Sequence, residues 1–350
     1  MKSYQVTEFG AALEPAVTET PEPKGTEVLL RVKACGVCHS DIHFWRGGYD
    51  LGGGKWLALQ DRGMELPLVM GHEAVGEVVA LGPEATSLFV GDTRLAFPWI
   101  GCGKCNHCLE GNENDCVNMR SIGVFSPGAY ADHVMVPHPR YLLDISGIPE
   151  ANACTLACAG VTTYSALTKT LPLPTEDKVV IIGAGGLGLT GIGIARGYLD
   201  HELIVVDIED KKLEAARKAG AAHVVNSRSS DAVEKIRELT GGGAGAVVDF
   251  VASSATAQLG IGAVRKGGKY IAVGLYGGDI TLSLPLLPLR HLTIRGSYVG
   301  KLSELHELID LVRGGNVEPV PVETRPLDHV TKTLKDLDDG RIVGRVVLVP

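Results

Sequence analysis

Four cysteines fall within fifteen residues of this chain: Cys102, Cys105, Cys108 and Cys116, at spacings x2, x2 and x7. Four thiolates close the tetrahedral shell of a structural zinc and leave no position open for chemistry. The glycines and small polar residues between them let the backbone turn around a metal. An iron–sulfur cluster is the rival, because bacterial ferredoxins begin with the same two gaps. Their third gap is x3 and ends in Cys-Pro, whereas here it is x7 and Val117 follows. Free thiols or disulfides are the remaining alternative. Ligand softness and geometry favour zinc, held in a lobe at about 101–117.

The chain has 350 residues, enough for two ordinary domains. A net charge of −8 argues against nucleic acid or an anionic membrane as the main partner. The N-terminal MKSYQVTEFG has no apolar core after its lysine, so no signal peptide is expected. Zinc thiolates also suit a reducing compartment, and a cytoplasmic location follows. Val179–Ala195 carries no charge but holds six glycines. It is shorter than the ~20 residues a bilayer needs, so a buried strand leading into a packed helix explains it better.

The first 150 or so residues are glycine-punctuated and strand-like. Glu27–Ala34, Ala74–Leu81 and Thr93–Phe97 are β-branched runs bounded by turn residues. Beyond Pro172 and Pro174 the pattern alternates. Strands are expected at Lys178–Ile182, Leu203–Asp207, Val224-Val225, Ala246–Phe250, Tyr270–Gly274 and Leu292–Gly296. Helices are expected at Leu187–Tyr198, Lys211–Ala219, Asp231–Leu239 and Ala255–Val264. Six strands separated by helices imply an α/β doubly wound parallel sheet. Arg341–Val349 reads as a strand returning to the first domain, so the nucleotide-type domain is inserted into the β-rich one.

Gly183-Ala-Gly185-Gly186-Leu187-Gly188 follows a strand and opens a helix, the context a G-x-G-x-x-G needs. Its glycines permit a tight turn, backbone approach to a pyrophosphate, and close packing of helix on strand. Asp207 comes nineteen residues after Gly188, at the end of the next strand. A carboxylate there accepts from ribose hydroxyls and repels a 2′-phosphate. Ile208 and Glu209 follow it and no arginine does, so NAD is expected over NADP. Lys212 is assigned to the same cofactor site. An ordinary packed βα turn is the alternative for the glycines alone.

Cys38-His39-Ser40-Asp41-Ile42-His43 reads as a loop after the first of these strands; Gly71-His72-Glu73 and Cys158-Ala-Gly-Val-Thr-Thr-Tyr164 come later. With the four-cysteine lobe and the glycine motif, these stand in the order found in the zinc-dependent medium-chain alcohol dehydrogenases, bacterial and archaeal type, which the chain resembles along its whole length. The resemblance implies a Rossmann domain at 159–296 inserted into a GroES-like catalytic domain, 1–158 and 297–350. It also implies a homo-oligomer, a tetramer more than a dimer, and two zinc ions per chain.

Alcohol dehydrogenase is itself the standard example of a Cys₂His catalytic zinc. Carried over, the ligands are Cys38, His72 and Cys158, with Glu73 as a transient ligand. Ser40, the cofactor ribose and His43 take the family's proton relay, and Asp41 its carboxylate that orients His72. Most lone cysteines are simply small buried residues, and Cys35 and Cys154, which match no ligand position, are read that way. His39 and Arg345 resemble pyrophosphate contacts; many relatives carry arginine where His39 stands, so the cofactor should be held more loosely at high pH. By analogy Trp45, Trp99 and Ile122 wall the substrate pocket. Arg46–Pro67 resembles a loop of some bacterial and archaeal members that shapes substrate access or an oligomer contact.

These residues imply NAD-dependent interconversion of a primary or secondary alcohol with its aldehyde or ketone. A polyol dehydrogenase of the same superfamily more often has glutamate where Cys158 stands. A non-catalytic nucleotide-binding relative usually loses the ligands that this chain keeps.

Overall fold

A computed structural model describes residues 1–350. The apolar runs beyond Pro174 form one six-stranded sheet, all strands parallel. Its order is His223–Asn226, Leu203–Asp207, Val179–Ile182, Ala244–Asp249, Val264–Ala272, Thr293–Gly296. That is the doubly wound order, with its switch point between the first and fourth strands in sequence. Val179–Ile182 and Ala244–Asp249 are buried throughout, as strands covered on both faces must be. The helix Asp210–Lys218 buries Leu213 and Ala216, three apart on one face.

The β-rich part centres on a seven-stranded sheet. Its core pairs Glu73–Leu81 with Val28–Val37 antiparallel. The C-terminal strand Arg345–Val349 lies on the other side of Val28–Val37, with Val346 opposite Val37. The chain therefore leaves this sheet, builds the parallel one and returns. The returning strand is shorter than Arg341–Val349, because Arg341 turns aside to pair with Asp336 at 2.8 Å. A further strand, Val322–Pro326, runs parallel to it across the helix Val330–Asp338. The buried helix Ala159–Thr168 joins the two halves: the Tyr164 ring lies 4.9 Å from that of Tyr198, and its hydroxyl donates to Glu307 at 3.0 Å. No helix is long and apolar enough to cross a membrane.

One expectation is corrected here. His39–Arg46, read from sequence as a loop, is an α-helix. The Asp41 carboxylate accepts the Cys38 N–H at 2.9 Å at its start, and Ile42, Phe44 and Trp45 are buried along it. The segment after it is a short hairpin, Gly48–Asp50 against Trp56–Ala58.

Candidate active site

The helix His39–Arg46, the start of Glu73–Leu81 and the bend before Ala159–Thr168 converge between the two halves. They bring donor atoms of Cys38, His72, Glu73 and Cys158 within 4.8 Å of one another, all buried. The Cys38 and Cys158 sulfurs lie 3.6 Å apart. The hydrogen bond from Cys158 holds the Cys38 thiol well below its ordinary range, and the same bond with burial pushes Cys158 up. A divalent cation lets both ionise.

His72 carries the second sign. Its Nδ1 sits 3.1 Å from an Asp41 oxygen, which leaves Nε2 buried and without a partner. A buried imidazole nitrogen in that state has the form of a metal ligand held by a carboxylate. Asp41 is itself fixed, accepting from Cys38 N–H and from the Tyr130 hydroxyl, each at 2.9 Å. Two sulfurs and one nitrogen are the donor set a catalytic zinc takes, with a fourth position left for another ligand. Glu73, by contrast, is committed elsewhere: one oxygen pairs with the buried Arg345 guanidinium and the other accepts from Ala159 N–H at 3.2 Å.

The second cluster is local. Cys105 and Cys108 lie 3.5 Å apart, Cys105 and Cys116 3.8 Å, Cys102 and Cys108 3.9 Å. Tetrahedral zinc with bonds of ~2.3 Å sets sulfurs about 3.8 Å apart, and no pair is at bonding distance for a disulfide. Hydrogen bonds from the Lys104 and Cys105 backbone lower the Cys102 thiol to about 6. Glu113, buried within the lobe, accepts from Gly101 N–H and the Tyr141 hydroxyl, both at 2.8 Å. That anchor ties the lobe to the β-rich sheet, and sequence reading gave no sign of it.

A cavity of about 840 Å³ runs from this centre to the glycine turn, lined by Cys38, Ser40, His43, Gly185, Asp207 and Lys212 among others. Gly183 has φ +93°, and a Cβ on Gly188 would meet the Gly183 carbonyl at 1.8 Å, so both positions require glycine. A Cβ on Gly185 would meet nothing within 4 Å. The helix Gly186–Tyr198 therefore opens onto free space, a fit for a pyrophosphate. Gly186, Leu187, His39 and Arg345 also line the cavity. The Arg345 Cδ lies at Gly186 while its head group is turned to Glu73. Asp207 accepts from Ala184 N–H at 2.7 Å and Glu209 N–H at 3.0 Å, and Lys212 pairs with Glu209 at 2.6 Å. Arg228, from the next strand's end, reaches the Ile208 carbonyl at 3.0 Å; the sequence around Asp207 did not reveal this cation.

A second cavity, about 1080 Å³, meets the first along Phe44, Tyr49, Trp99 and Tyr298. Trp99 stands 5.2 Å from the His72 ring and lines both cavities. Trp45 and Ile122 lie outside them. The Trp45 indole donates to the Ala11 carbonyl at 2.5 Å on the helix's far side, and Ile122 is core, leaving Ser121, Val124 and Phe125 to line the space. The hairpin supplies Tyr49, Leu51 and Leu57, so Arg46–Pro67 does shape this cavity. Tyr49 lies 4.8 Å from the His43 ring, and burial pushes the His43 imidazole down to about 4.

Comparison with known proteins agrees with this geometry. The alcohol dehydrogenase GroES-like domain matches residues 24–147, and the zinc-binding dehydrogenase family matches residues 186–314. An NAD-dependent alcohol dehydrogenase of Sulfurisphaera tokodaii is 37% identical over 351 residues, all of both chains; one of Saccharolobus solfataricus is 35% identical over the same span. The crystal structure of the alcohol dehydrogenase from Aeropyrum pernix superposes with a TM-score of 0.91 at 30% identity, covering both chains completely. Relatives at this identity, matched end to end, place the chain in the zinc-dependent medium-chain alcohol dehydrogenase family.

Proposed function

We propose that this chain oxidises primary or secondary alcohols to aldehydes or ketones with NAD, and runs the reverse reduction. The observation that carries the reading is the partnerless Nε2 of His72 beside the Cys38 and Cys158 sulfurs, where the two cavities meet. Cys38, His72 and Cys158 are the proposed ligands of a catalytic zinc, and Cys102, Cys105, Cys108 and Cys116 those of a structural one, two per chain. When bound, zinc supplies a Lewis acid for the substrate oxygen and NAD accepts hydride.

The chain's own groups do the rest. Asp41 holds His72 in the tautomer that presents Nε2. The glycine turn and Asp207 seat and orient the dinucleotide. Phe44, Trp99 and Tyr298 give the meeting point an aromatic wall for the substrate. Oxidation of an alcohol releases a proton, and Ser40 Oγ, 3.8 Å from the Cys38 sulfur, is placed to receive it. The His43 imidazole, neutral at pH 7, then accepts it and passes it to solvent.

The same reading takes residues 159–296 as the cofactor domain and the remainder as the catalytic domain. It also takes a homo-oligomer, a tetramer more than a dimer, in the cytoplasm. The exposed edge strand Thr293–Gly296, with Leu284, Leu286 and Leu289 exposed nearby, supports self-association.

The test is NADH formation across linear, branched, benzylic and polyol alcohols, with zinc measured on the same sample. Turnover of one alcohol class with two zinc ions per chain supports the reading. Two zinc ions and tight NADH binding without turnover of any alcohol would overturn it.

A further inference from the structure

Arg62 ends the short helix Gln60–Arg62 and lines the larger cavity, with no part in the reaction described above. No carboxylate or carbonyl of the chain partners its guanidinium. The cavity's other arginine, Arg120, donates to the Gly101 carbonyl at 3.4 Å. Burial pushes the Tyr298 phenol up to about 12, and the neighbouring Arg62 charge pulls it the other way. Tyr298 meets Trp99 at 6.2 Å between ring centroids, and Trp99 meets His72 at 5.2 Å. Arg62, exposed to solvent, thus shares the cavity lining with Tyr298 and Trp99, the aromatic pair that leads to the metal cluster. Leu57, Leu59 and Val124 line the same space. The Tyr49 and Tyr298 hydroxyls have no hydrogen-bond partner in the protein either. Asp50 and Asp115 are the acidic residues of the lining, against Arg62, Lys104 and Arg120; Asp50 is occupied by the Gly52 N–H at 2.8 Å.

Resting on the alcohol dehydrogenase reading, we infer that Arg62 binds a carboxylate at the end of the substrate remote from the carbinol carbon, so that hydroxy acids are preferred over plain alkanols. The guanidinium fork matches a carboxylate with two parallel hydrogen bonds, and the phenol hydroxyls add donors beside it. The apolar lining between the two ends takes the methylene chain. The carboxylate is unchanged in the reaction. The carbinol carbon gives hydride to NAD and the hydroxyl loses its proton, leaving an oxo acid, NADH and one proton.

The test compares kcat/KM for 1-alkanols and for ω-hydroxycarboxylates of equal chain length, on the zinc- and NAD-loaded enzyme. Wild type, Arg62→Ala and Arg62→Lys are measured, with Arg62→Gln standing in if the alanine variant does not fold. At the optimal length the wild type should prefer the hydroxy acid by roughly ten- to a hundredfold, the worth of a charge-assisted hydrogen bond. Arg62→Ala should lower the hydroxy-acid to alkanol ratio by that factor, and Arg62→Lys should restore part of it. Added salt should erode the preference. Equal use of both substrates by the wild type, or an equal loss of both in Arg62→Ala, overturns the inference. If no alcohol is turned over, the reaction itself is wrong, and calorimetric titration with 6-hydroxyhexanoate decides the binding claim alone. Binding weakened by Arg62→Ala supports it, and unchanged binding overturns it.

Discussion

The two cysteine clusters hold similar donor atoms in opposite ways. The lobe draws its four sulfurs from one stretch of fifteen residues, and two of the four are only partly buried. The cluster at the cleft draws two sulfurs and a nitrogen from positions up to 120 apart, all buried. The first is a closed shell made by local turns, anchored through Glu113. The second exists only when the helix His39–Arg46, the strand Glu73–Leu81 and the bend before Ala159–Thr168 are assembled, and its donors leave a position free. A self-contained shell fits a structural metal; a shell completed by the fold and open on a cavity fits a catalytic one.

Substitutions can break that contrast. Cys38→Ser should lower kcat/KM by at least about a thousandfold, since a Lewis acid contributes several kcal/mol to the barrier. NADH binding, followed by fluorescence, should persist; retained turnover would remove Cys38 from the metal. Asp41→Asn should cost ~10–100-fold in metal affinity or activity, through the orientation of His72. An unchanged zinc content and rate would show that the fold alone orients the ring. Cys105→Ser should do the reverse of Cys38→Ser. Its thermal midpoint should fall by several degrees while kcat at low temperature stays within about threefold. A catalytic collapse without loss of stability would erase the distinction between the clusters.

The smallest effect concerns His43. Its folded-state pKa is about 4, lowered first by burial and then by His39. Between that value and the ordinary ~6.5 the unfolded chain binds more protons, so the group costs stability as pH falls through the window. His43→Ala should flatten that acid-side loss in denaturant titrations. It should also slow alcohol oxidation by a few-fold, most at low pH. A pH–rate profile that matches wild type would take His43 out of the proton path.

How far the sequence could be read follows the same division. The lobe and the glycine turn are local, so their spacings alone announced them. The assembled cluster was legible only because its motifs come in a family's order. The helix His39–Arg46 was missed although Asp41, three residues past Cys38, is a cap signal of sequence type. Trp45 was misplaced because a helix turns successive residues to different sides: Phe44 faces the cavity and Trp45 faces Ala11. Tyr298, Arg62, Arg228 and Glu113 carried no signal, because each owes its place to a long-range approach that no spacing encodes.

The strand Arg345–Val349 lies inside the catalytic sheet, between Val28–Val37 and Val322–Pro326, although it follows both of them in sequence. The parallel sheet has all its strands by Gly296, some fifty residues earlier. During synthesis the cofactor half can close on itself while the catalytic half still lacks the strand beside Val28–Val37 and the cation that neutralises Glu73. The active centre therefore depends on a contact between residues 272 apart in sequence, and loss of this strand would leave Glu73 buried without its cation while the parallel sheet keeps all its strands.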